Sequence, residues 1–403
     1  MTTKKPLTVA FVIQRCGTEI FGGAERYILE VAAACSKMGA NIEIFTSQSR
    51  GYIDWKNDLP VLETHSFQDG MPLKIRRFPV LFSRFRVAFA LTRRFKYALG
   101  PIIKLFPLNK LCEQLFLLFQ GPWCPSLWRT LIAEQNRFDL IVCGAYLYAP
   151  TAKTLAGAKE TKTLLIPMAH NEREFFLPFV QKQIQNCELL GYLSQAEKNL
   201  VESVWPAAQL KQSIFVHPGI NETSVTNATS TEQSNSLPQK FFLYVGRVDP
   251  HKGINFLVNA ISEDIPVVFA GDVAMLIPEK KNRIFLGRVS DSMRDDLLKK
   301  SIALVIASRF ESYSMVTADA LAMGKPVLAL KGCGPIDELI DSYGGLSVSD
   351  SEFPDWAERL YRGEQLPPQK RPNPSKIRQE RSWSSAAGRI LQLAETCSRT
   401  ANV

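Results

Sequence analysis

A strand–helix–strand pattern opens the chain and starts again after residue 240, and this repetition restricts the fold more than any other feature. Residues 7–13 are an apolar, β-branched run, residues 24–37 place apolar side chains at helical spacing, and residues 41–46 form a second apolar run. This order is typical of a parallel sheet with helices on its faces. The sequence therefore predicts an α/β fold.

Short apolar runs continue the pattern in both halves of the chain. Further strands are predicted at residues 75–80, 140–144, 163–168, 189–194, 241–245, 266–270, 283–286, 303–307 and 326–330. Helical patterns lie between them, for example at residues 254–261 and 291–300. Since 403 residues exceed what one hydrophobic core usually supports, we predict two α/β domains.

A polar segment separates the two halves. Residues 222–238 are rich in Ser, Thr and Asn and lack apolar periodicity, which is typical of a linker or flexible loop. We therefore predict a first domain at residues 1–222 and a second at residues 223–383. A last helical pattern, at residues 384–403, is predicted to pack back on the first domain.

Cysteine usage and the chain start indicate a cytoplasmic protein. The eight cysteines form no C-x-x-C pair, and several lie in apolar runs, so reduced thiols are expected rather than a zinc site or disulfides. The first residues, Met-Thr-Thr-Lys-Lys-Pro, lead directly into an apolar run, which is not the form of a signal peptide. The uncharged runs are too short to span a bilayer.

The strongest site signal follows the run at residues 303–307. The turn Ser-Arg-Phe-Glu-Ser-Tyr-Ser leads into a helical pattern that begins near Ser314 and stops at Gly324. Ser312 and Ser314 are suitable N-cap residues. Because a helix N-terminus has unpaired N–H groups and a favourable dipole, this one is predicted to bind an anion such as a diphosphate.

Two carboxylates accompany this turn. Glu311 lies just before the helical pattern and Asp319 lies one to two turns inside it. Carboxylates beside a phosphate site accept hydrogen bonds from ribose or sugar hydroxyls. A capped helix with two solvated acids is the alternative interpretation.

Two cations follow a second predicted strand. In Tyr-Val-Gly-Arg-Val-Asp-Pro-His-Lys-Gly, Arg247 comes directly after the apolar run and Lys252 five residues later. Two cations at a strand end can neutralise a diphosphate leaving group without a metal ion, and Gly246 and Gly253 permit close approach of the backbone. A solvated, charged turn is the alternative.

A weaker signal is the pair Gly22-Gly23 after the first strand. These glycines allow a ligand to approach the backbone at a helix N-terminus. The dinucleotide pattern G-x-G-x-x-G is missing there, so no dinucleotide cofactor is predicted.

Together these segments resemble glycosyltransferase family 4, a family of retaining transferases with the GT-B fold. The family pattern combines an early Gly-Gly loop with G-R-x-x-x-x-K-G, E-x7-E and G-x-P-V. This sequence has Gly22-Gly23, the segment 246–253, Glu311 with Asp319, and the segment 324–327, and residues 217–221, 269–272 and 285–289 also fit. The resemblance covers most of the chain and implies two Rossmann-like domains that face each other across a cleft.

The resemblance also implies roles for single residues. Arg247 and Lys252 would hold the donor diphosphate, Asp319 the ribose and Glu311 the donor sugar. His170, in Met-Ala-His-Asn after a predicted strand, would lie near the reacting sugar, although a structural histidine fits the same position. The implied catalytic set is Arg247, Lys252, Glu311 and His170, and the donor-binding set adds Gly22, Gly23, Arg288, Val289, Ser314, Met315, Val316 and Asp319.

This sequence departs from the family pattern at the second acid. Asp319 is one methylene shorter than the usual Glu, and Ser312 and Ser314 stand where glycines are common. The preference for base and sugar therefore stays open. We find no Asp-x-Asp at a predicted strand end, so catalysis without a metal or other cofactor is expected.

The segment from residue 74 to residue 128 starts with a basic, aromatic stretch. Ten cations and no acidic residue lie between Lys74 and Lys110, interleaved with phenylalanines. We favour a segment that lies on an anionic membrane, where each cation contributes about 1 kcal/mol. The cations predicted to face the membrane are Arg76, Arg77, Arg84, Arg86, Arg93, Arg94, Lys96 and Lys104.

Two other interpretations of this stretch remain. It could be a strand followed by core-packed helices with solvated basic faces. A platform for single-stranded nucleic acid also combines aromatic and basic residues. Because no recognisable nucleic-acid-binding module accompanies the stretch, no nucleic acid partner is expected.

The expected function is that of a retaining hexosyltransferase. It would move a sugar from a nucleotide-sugar donor, UDP-linked rather than GDP-linked, to a saccharide or lipid-linked saccharide. Similarity to lipopolysaccharide-core glycosyltransferases implies cell-envelope biosynthesis at the cytoplasmic face of the membrane. The alternatives are a catalytically weakened GT-B scaffold that acts as a basic peripheral membrane protein, and a sugar-nucleotide 2-epimerase, which shares the fold.

Overall fold

The computed structural model describes residues 5–20, 22–66, 70–82, 108–220, 237–276 and 280–401. The chain divides into two compact units. The first consists of Met1–Leu193, Lys198–Pro218 and Trp383–Val403, and the second of Ser194–Glu197 and Gly219–Ser382.

The first unit is built on an eight-stranded sheet. Its strands are β1 (Thr8–Val12), β2 (Asn41–Ser47), β3 (Leu62–His65), β4 (Leu73–Phe78), β5 (Leu140–Gly144), β6 (Thr163–Ile166), β7 (Leu189–Tyr192) and β8 (Gln212–Phe215). The strand order is β3-β4-β2-β1-β5-β6-β7-β8, and β3 pairs antiparallel with β4 while the other pairs are parallel.

The central strands of this sheet are apolar without interruption. Every residue of β5, β6 and β7 is buried. Continuous apolar runs are typical of parallel strands that are covered by helices on both faces. The order reverses between β1 and β5, since the strands that follow β1 directly in sequence lie on its other side.

Helices cover this sheet. They are α1 (Gly23–Lys37), α2 (Leu108–Gln120), α3 (Pro125–Ala133), α4 (Ala149–Gly157), α5 (Pro178–Asn186), α6 (Gln195–Val204) and the C-terminal α13 (Trp383–Ala401). The C-terminal helix packs on α1, and the rings of Tyr27 and Trp383 lie 5.8 Å apart. The last segment of the chain therefore belongs to the first unit.

The second unit contains a six-stranded parallel sheet in the order β11-β10-β9-β12-β13-β14. Its strands are β9 (Phe242–Val245), β10 (Val267–Ala270), β11 (Arg283–Gly287), β12 (Leu304–Ile306), β13 (Val327–Leu330) and β14 (Leu346–Val348). Its helices are α7 (Ile254–Ala260), α8 (Asp291–Lys300), α9 (Met315–Ala322), α10 (Gly334–Tyr343), α11 (Phe353–Tyr361) and α12 (Pro374–Glu380).

The predicted α/β class is confirmed, and both sheets have the expected parallel strands. Three strands were not predicted, namely β3, β8 and β14. Strand β3 alternates exposed and half-buried residues and contains Glu and His, while β14 is only three residues long. Such short or mixed segments carry little signal of their own, because their pairing depends on the neighbouring strand.

Each cysteine whose side chain is described has a free thiol, and burial raises the pKa of Cys16 to about 12. Within the described ranges, none of the helices combines the length and apolar character needed to cross a bilayer.

Candidate active site

The sheet of the second unit reverses its order between β9 and β12, because β10 and β11 lie on one side of β9 and β12 to β14 on the other. In open α/β sheets ligands bind at such a reversal, beyond the carboxyl ends of the strands. Arg247 and Lys252 follow β9, and Glu311 and Ser314 follow β12. The structure thus brings the two strongest sequence motifs to one point.

Asp249 organises the backbone after β9. Its Oδ1 accepts hydrogen bonds from the backbone N–H of His251 at 2.9 Å and of Lys252 at 3.2 Å. The same carboxylate forms an ion pair with the guanidinium of Arg247. Because Asp249 is only 5% exposed, its position is well defined, and its contacts orient the side chain of Arg247 and the backbone at Lys252.

Lys252 and Glu311 form an ion pair that joins the ends of β9 and β12. The Lys252 Nζ donates to Glu311 Oε1 at 2.7 Å, and both side chains keep some exposure. An ammonium group has three donors, so Lys252 can hold Glu311 and a bound anion together. The pair places the predicted diphosphate-binding cation and the predicted sugar-binding carboxylate side by side.

Two glycines make the close packing of these strand ends possible. A Cβ on Gly253, which has φ +70°, would lie 2.1 Å from the carbonyl oxygen of Ala307. A Cβ on Gly271, which has φ +152°, would lie 1.9 Å from the carbonyl oxygen of Gly246. Both positions therefore exclude any side chain.

The N-terminus of α9 differs in detail from the prediction. Ser314 occupies the N-cap position but has φ 78° and ψ 77°, and it makes no side-chain bond to the backbone of the first turn. Its hydroxyl instead pairs with the hydroxyl of Thr317 at 2.8 Å. The N–H groups at Met315 and Val316 thus receive no capping bond from the N-cap side chain, which suits a site for an external anion.

Asp319, the predicted ribose ligand, lies in a buried charged environment on α9. It is 7% exposed, as is Arg294 on α8. The guanidinium of Arg294 pairs with Asp295 at 2.7 Å and with Asp291 at 2.9 Å, and it also attracts the charge of Asp319. Asp319 is therefore part of the packed interior beside the helix start, and its ribose role stays a prediction.

Arg288 and Val289 lie at the same edge of the sheet, after β11. The Arg288 Nε donates to Asp272 Oδ1 at 3.1 Å, and both side chains are about half exposed. Because Asp272 follows β10, this pair links the next two strand ends. Two of the predicted donor-binding residues thus lie at the same edge of the sheet as Arg247 and Lys252.

The Gly22-Gly23 loop of the first unit is occupied by the protein itself. A Cβ on Gly22 would lie 2.2 Å from Glu25 Oε2, whereas one on Gly23 would have no neighbour within 4 Å. Glu25 Oε1 accepts hydrogen bonds from Arg15 Nε at 2.6 Å and from Gln14 Nε2 at 3.0 Å. Gly22 therefore makes room for a buried carboxylate, and the donor-binding role of Gly22 and Gly23 stays a prediction.

His170 lies in the first unit, after β6. Its Nδ1 is 3.2 Å from the carbonyl oxygen of Met168, and its Nε2 is 3.5 Å from Glu172 Oε1. Tyr146, which follows β5, donates its hydroxyl to the same Glu172 oxygen at 2.5 Å. Burial, and next the Glu172 charge, raise the pKa of Tyr146 well above its ordinary value, so this hydroxyl keeps its proton.

One of the predicted membrane cations is wrong. Arg77 is 1% exposed, pairs with Glu63 and donates to the carbonyl oxygen of Cys16 at 3.0 Å. Arg76 pairs with Glu43 at 2.9 Å and with Glu134 at 2.7 Å. Its side chain keeps 25% exposure, so its membrane role stays a prediction. Arg84, Arg86, Arg93, Arg94, Lys96 and Lys104 lie outside the described residues.

Sequence reasoning missed three residues that shape these sites. Asp249 had a recognisable signal, since Asp followed by Pro is a common start of a helical turn. Tyr146 and Glu172 had none, because they are 26 residues apart and meet only through the pairing of β5 with β6.

The fold is that of GT-B glycosyltransferases. Sucrose-phosphate synthase of Thermosynechococcus elongatus matches 98% of this chain and 100% of its own with a TM-score of 0.70 and 17% identity. HepE of Anabaena, solved in complex with UDP and glucose, matches 97% of this chain and 100% of its own with a TM-score of 0.60 and 16% identity. At these identities the likeness establishes the fold alone.

Sequence comparison agrees with this fold. Residues 227–378 match the family described as glycosyl transferases group 1. ALG2 of Candida glabrata, an alpha-1,3/1,6-mannosyltransferase, is 22% identical over 91% of this chain and 86% of its own length. Together with the fold, these matches identify the chain as a glycosyltransferase of the GT-B type. The predicted fold is confirmed, and so is the prediction of a glycosyltransferase.

Proposed function

We propose that this protein is a retaining hexosyltransferase that uses a nucleotide sugar, preferably UDP-linked, and glycosylates a hydroxyl of a saccharide or lipid-linked saccharide. One observation carries the proposal. At the reversal point of the second sheet, two cations from the end of β9 meet a carboxylate and an uncapped helix start from the end of β12.

This arrangement suits the departure of a nucleoside diphosphate. When the bond between the anomeric carbon and the diphosphate breaks, negative charge collects on the leaving oxygen. Arg247, Lys252 and the first-turn N–H groups of α9 are placed to stabilise that charge before the reaction starts, which is the effective form of electrostatic catalysis. The proposed transfer therefore needs no metal ion.

The donor assignment draws on two relatives. HepE of Anabaena was solved with UDP and glucose, and ALG2 of Candida glabrata is a mannosyltransferase. Both names agree with a hexose donor, and the first supports a uridine base. Glu311, paired with Lys252, is the carboxylate assigned to the hexose hydroxyls.

Calorimetric titration tests the donor site. Purified protein is titrated with UDP, GDP and ADP in EDTA, beside the variant Arg247→Ala/Lys252→Ala and the control Arg359→Ala. Arg359 is a surface cation of the same unit that pairs with Glu364. We expect micromolar binding of UDP, at least a hundredfold weaker binding in the double variant, as loss of two charge-assisted contacts implies at roughly 1.5 kcal/mol or more each, and unchanged binding in the control.

The outcomes separate the alternatives. Binding of GDP or ADP instead of UDP would correct the base, and binding that depends on added metal would refute the metal-free site. If no nucleotide binds, the catalytically weakened scaffold is the better description. Incubation with the matching nucleotide sugars then tests turnover. Release of the nucleoside diphosphate together with a glycosylated acceptor distinguishes transfer from epimerisation.

The membrane surface is the proposed location of the acceptor. This proposal depends on the six basic residues from Arg84 to Lys104, since Arg76 and Arg77 already pair with carboxylates of the first unit. Leu81 and Phe82, directly before them, are exposed, and exposed apolar residues beside basic ones are typical of interfacial segments.

Vesicle sedimentation tests the membrane proposal. We expect binding to vesicles with anionic lipid and weak binding to phosphatidylcholine alone. Replacing Arg84, Arg86, Arg93 and Arg94 by Ser should abolish sedimentation at about 1 kcal/mol for each cation. Equal sedimentation of the variant would refute the assignment.

A further inference from the structure

The edge of the first sheet beyond β5 and β6 has an unusual backbone. Ala145, after β5, has φ 60°, and Met168, after β6, has φ 54°. Left-handed conformations are unfavourable for side-chain-bearing residues and persist where the surrounding structure enforces them, often at functional sites. Here two occur on neighbouring strands, and each directly precedes the segment that carries a polar side chain of the His170 cluster.

The cluster is a chain of three side chains. The buried Tyr146 hydroxyl donates to Glu172 Oε1 at 2.5 Å, and the same oxygen faces His170 Nε2 at 3.5 Å. On the other side of the ring, Nδ1 lies 3.2 Å from the Met168 carbonyl oxygen. The two ring nitrogens thus face two oxygen atoms, a backbone carbonyl at hydrogen-bond distance and a carboxylate slightly beyond it.

Tyr146 is itself firmly anchored. It is 2% exposed, its ring packs edge-on against Phe175 at 5.5 Å, and its carbonyl oxygen accepts from Gln183 Nε2 at 2.7 Å. Glu172 has a less enclosed side chain, 27% exposed. Since the tyrosine is fixed and the carboxylate is not, the hydroxyl determines where the carboxylate stands.

We propose that Tyr146 and Glu172 are positioning residues for His170: the tyrosine hydroxyl fixes the Glu172 carboxylate, and the carboxylate fixes the orientation of the imidazole and the hydrogen position on its nitrogens. For metal-bound histidines, loss of such an orienting partner costs ten- to a hundredfold in affinity or activity, and we expect the lower end of that range here. The inference rests on the proposed function in one respect, namely that His170 serves the transfer.

The first test observes the ring directly. The chain has four histidines, so a long-range proton–nitrogen correlation spectrum of labelled protein resolves them, and His170→Asn assigns the signal. We expect both Tyr146→Phe and Glu172→Gln to move the His170 nitrogen resonances. His217 is the internal reference, because its Nδ1 faces the Leu193 carbonyl oxygen at 2.8 Å, away from the cluster.

A matched variant separates positioning from general loss of packing. Tyr27 is also buried in the first unit and donates its hydroxyl to the Val216 carbonyl oxygen at 2.8 Å. Tyr27→Phe therefore removes a comparable bond elsewhere, and it should leave the His170 resonances and kcat unchanged. If Tyr27→Phe moves them as Tyr146→Phe does, the proposal is overturned.

The second test is kinetic. Tyr146→Phe and Glu172→Gln should each lower kcat by about tenfold, leave the affinity for the nucleotide unchanged, and lose no more when combined, since both act through one ring. The proposed positioning role would be overturned if the losses of kcat in the two single variants added up in the double variant. It would also be overturned if the His170 resonances moved while kcat stayed at the wild-type value. If wild-type protein transfers no sugar at all, the proposed function fails by itself, and the spectra still decide whether Tyr146 and Glu172 set the imidazole.

Discussion

The two units place a helix start at the reversal point of their sheets, but they treat it differently. Neither start receives a hydrogen bond from its N-cap side chain. In the first unit, however, the buried carboxylate of Glu25 lies beside Gly22 at the start of α1 and pairs with Arg15. Both termini attract negative charge, and in the first unit a side chain of the protein already supplies it. We therefore expect an anionic ligand at the start of α9 and a structural carboxylate at the start of α1.

The largest expected effect comes from removing the buried carboxylate of Glu25 in the first unit. Glu25→Ala leaves the buried guanidinium of Arg15 without its carboxylate, and removal of one partner of a buried pair costs about 3–5 kcal/mol. Denaturant unfolding should show this loss, while nucleotide affinity per folded molecule stays unchanged.

The control lies one turn along the same helix. Glu30→Ala removes a partly exposed partner of Arg26, 3.9 Å away, and helix pairs of this kind contribute less than about 0.5 kcal/mol. If Glu25→Ala were as mild as Glu30→Ala, and weakened nucleotide binding instead, Glu25 would be a ligand-site residue and the comparison would fail.

The next effect concerns the close strand ends of the second unit. Gly271→Ala puts a Cβ 1.9 Å from the Gly246 carbonyl oxygen, so β9 and β10 must separate beside Arg247. We expect a loss of about 3 kcal/mol or more, since overpacking adds to the backbone strain, together with weaker nucleotide binding. Gly363→Ala is the control, because its φ is +94° but nothing lies within 4 Å of the added atom. Equal losses would show that strain alone is responsible.

A third comparison concerns Glu311, the partly exposed carboxylate of the second unit that pairs with Lys252. Glu311→Gln keeps the shape of the side chain but removes the charge facing Lys252. We expect kcat/KM for the donor to fall by about a hundredfold, roughly 2.7 kcal/mol, with the unfolding free energy changed by less than 1 kcal/mol, because the pair is partly exposed. Asp350→Asn, which removes an exposed partner of Arg309, should alter neither quantity.

These cases also show how far sequence reasoning reaches. The residues after β9 and β12 were predictable, since apolar runs locate the strands and parallel strands end at a common edge. The burial of Glu25 beside Gly22 was not predictable, because the sequence does not show that Arg15 and Gln14 donate hydrogen bonds to this first-turn acid. Arg77 was misassigned, and the ion pairs of Arg76 were missed, for a similar reason. Their basic neighbours suggested a surface, whereas the partners Glu43, Glu63 and Glu134 come from distant segments.

The smallest effect concerns the uncapped helix start itself. Ser314 has φ 78°, a conformation that costs a side-chain-bearing residue about 1–3 kcal/mol, while glycine adopts it freely but loses more entropy on folding. Ser314→Gly should therefore stabilise the protein by about 0.5–1 kcal/mol, although it removes the bond to Thr317. Nucleotide affinity should stay within about twofold, since the N–H groups of the first turn, and not the Ser314 hydroxyl, hold the anion. A marked loss of affinity would show that the hydroxyl itself binds the ligand, and the two helix starts would then differ in their side chains and not only in what fills them.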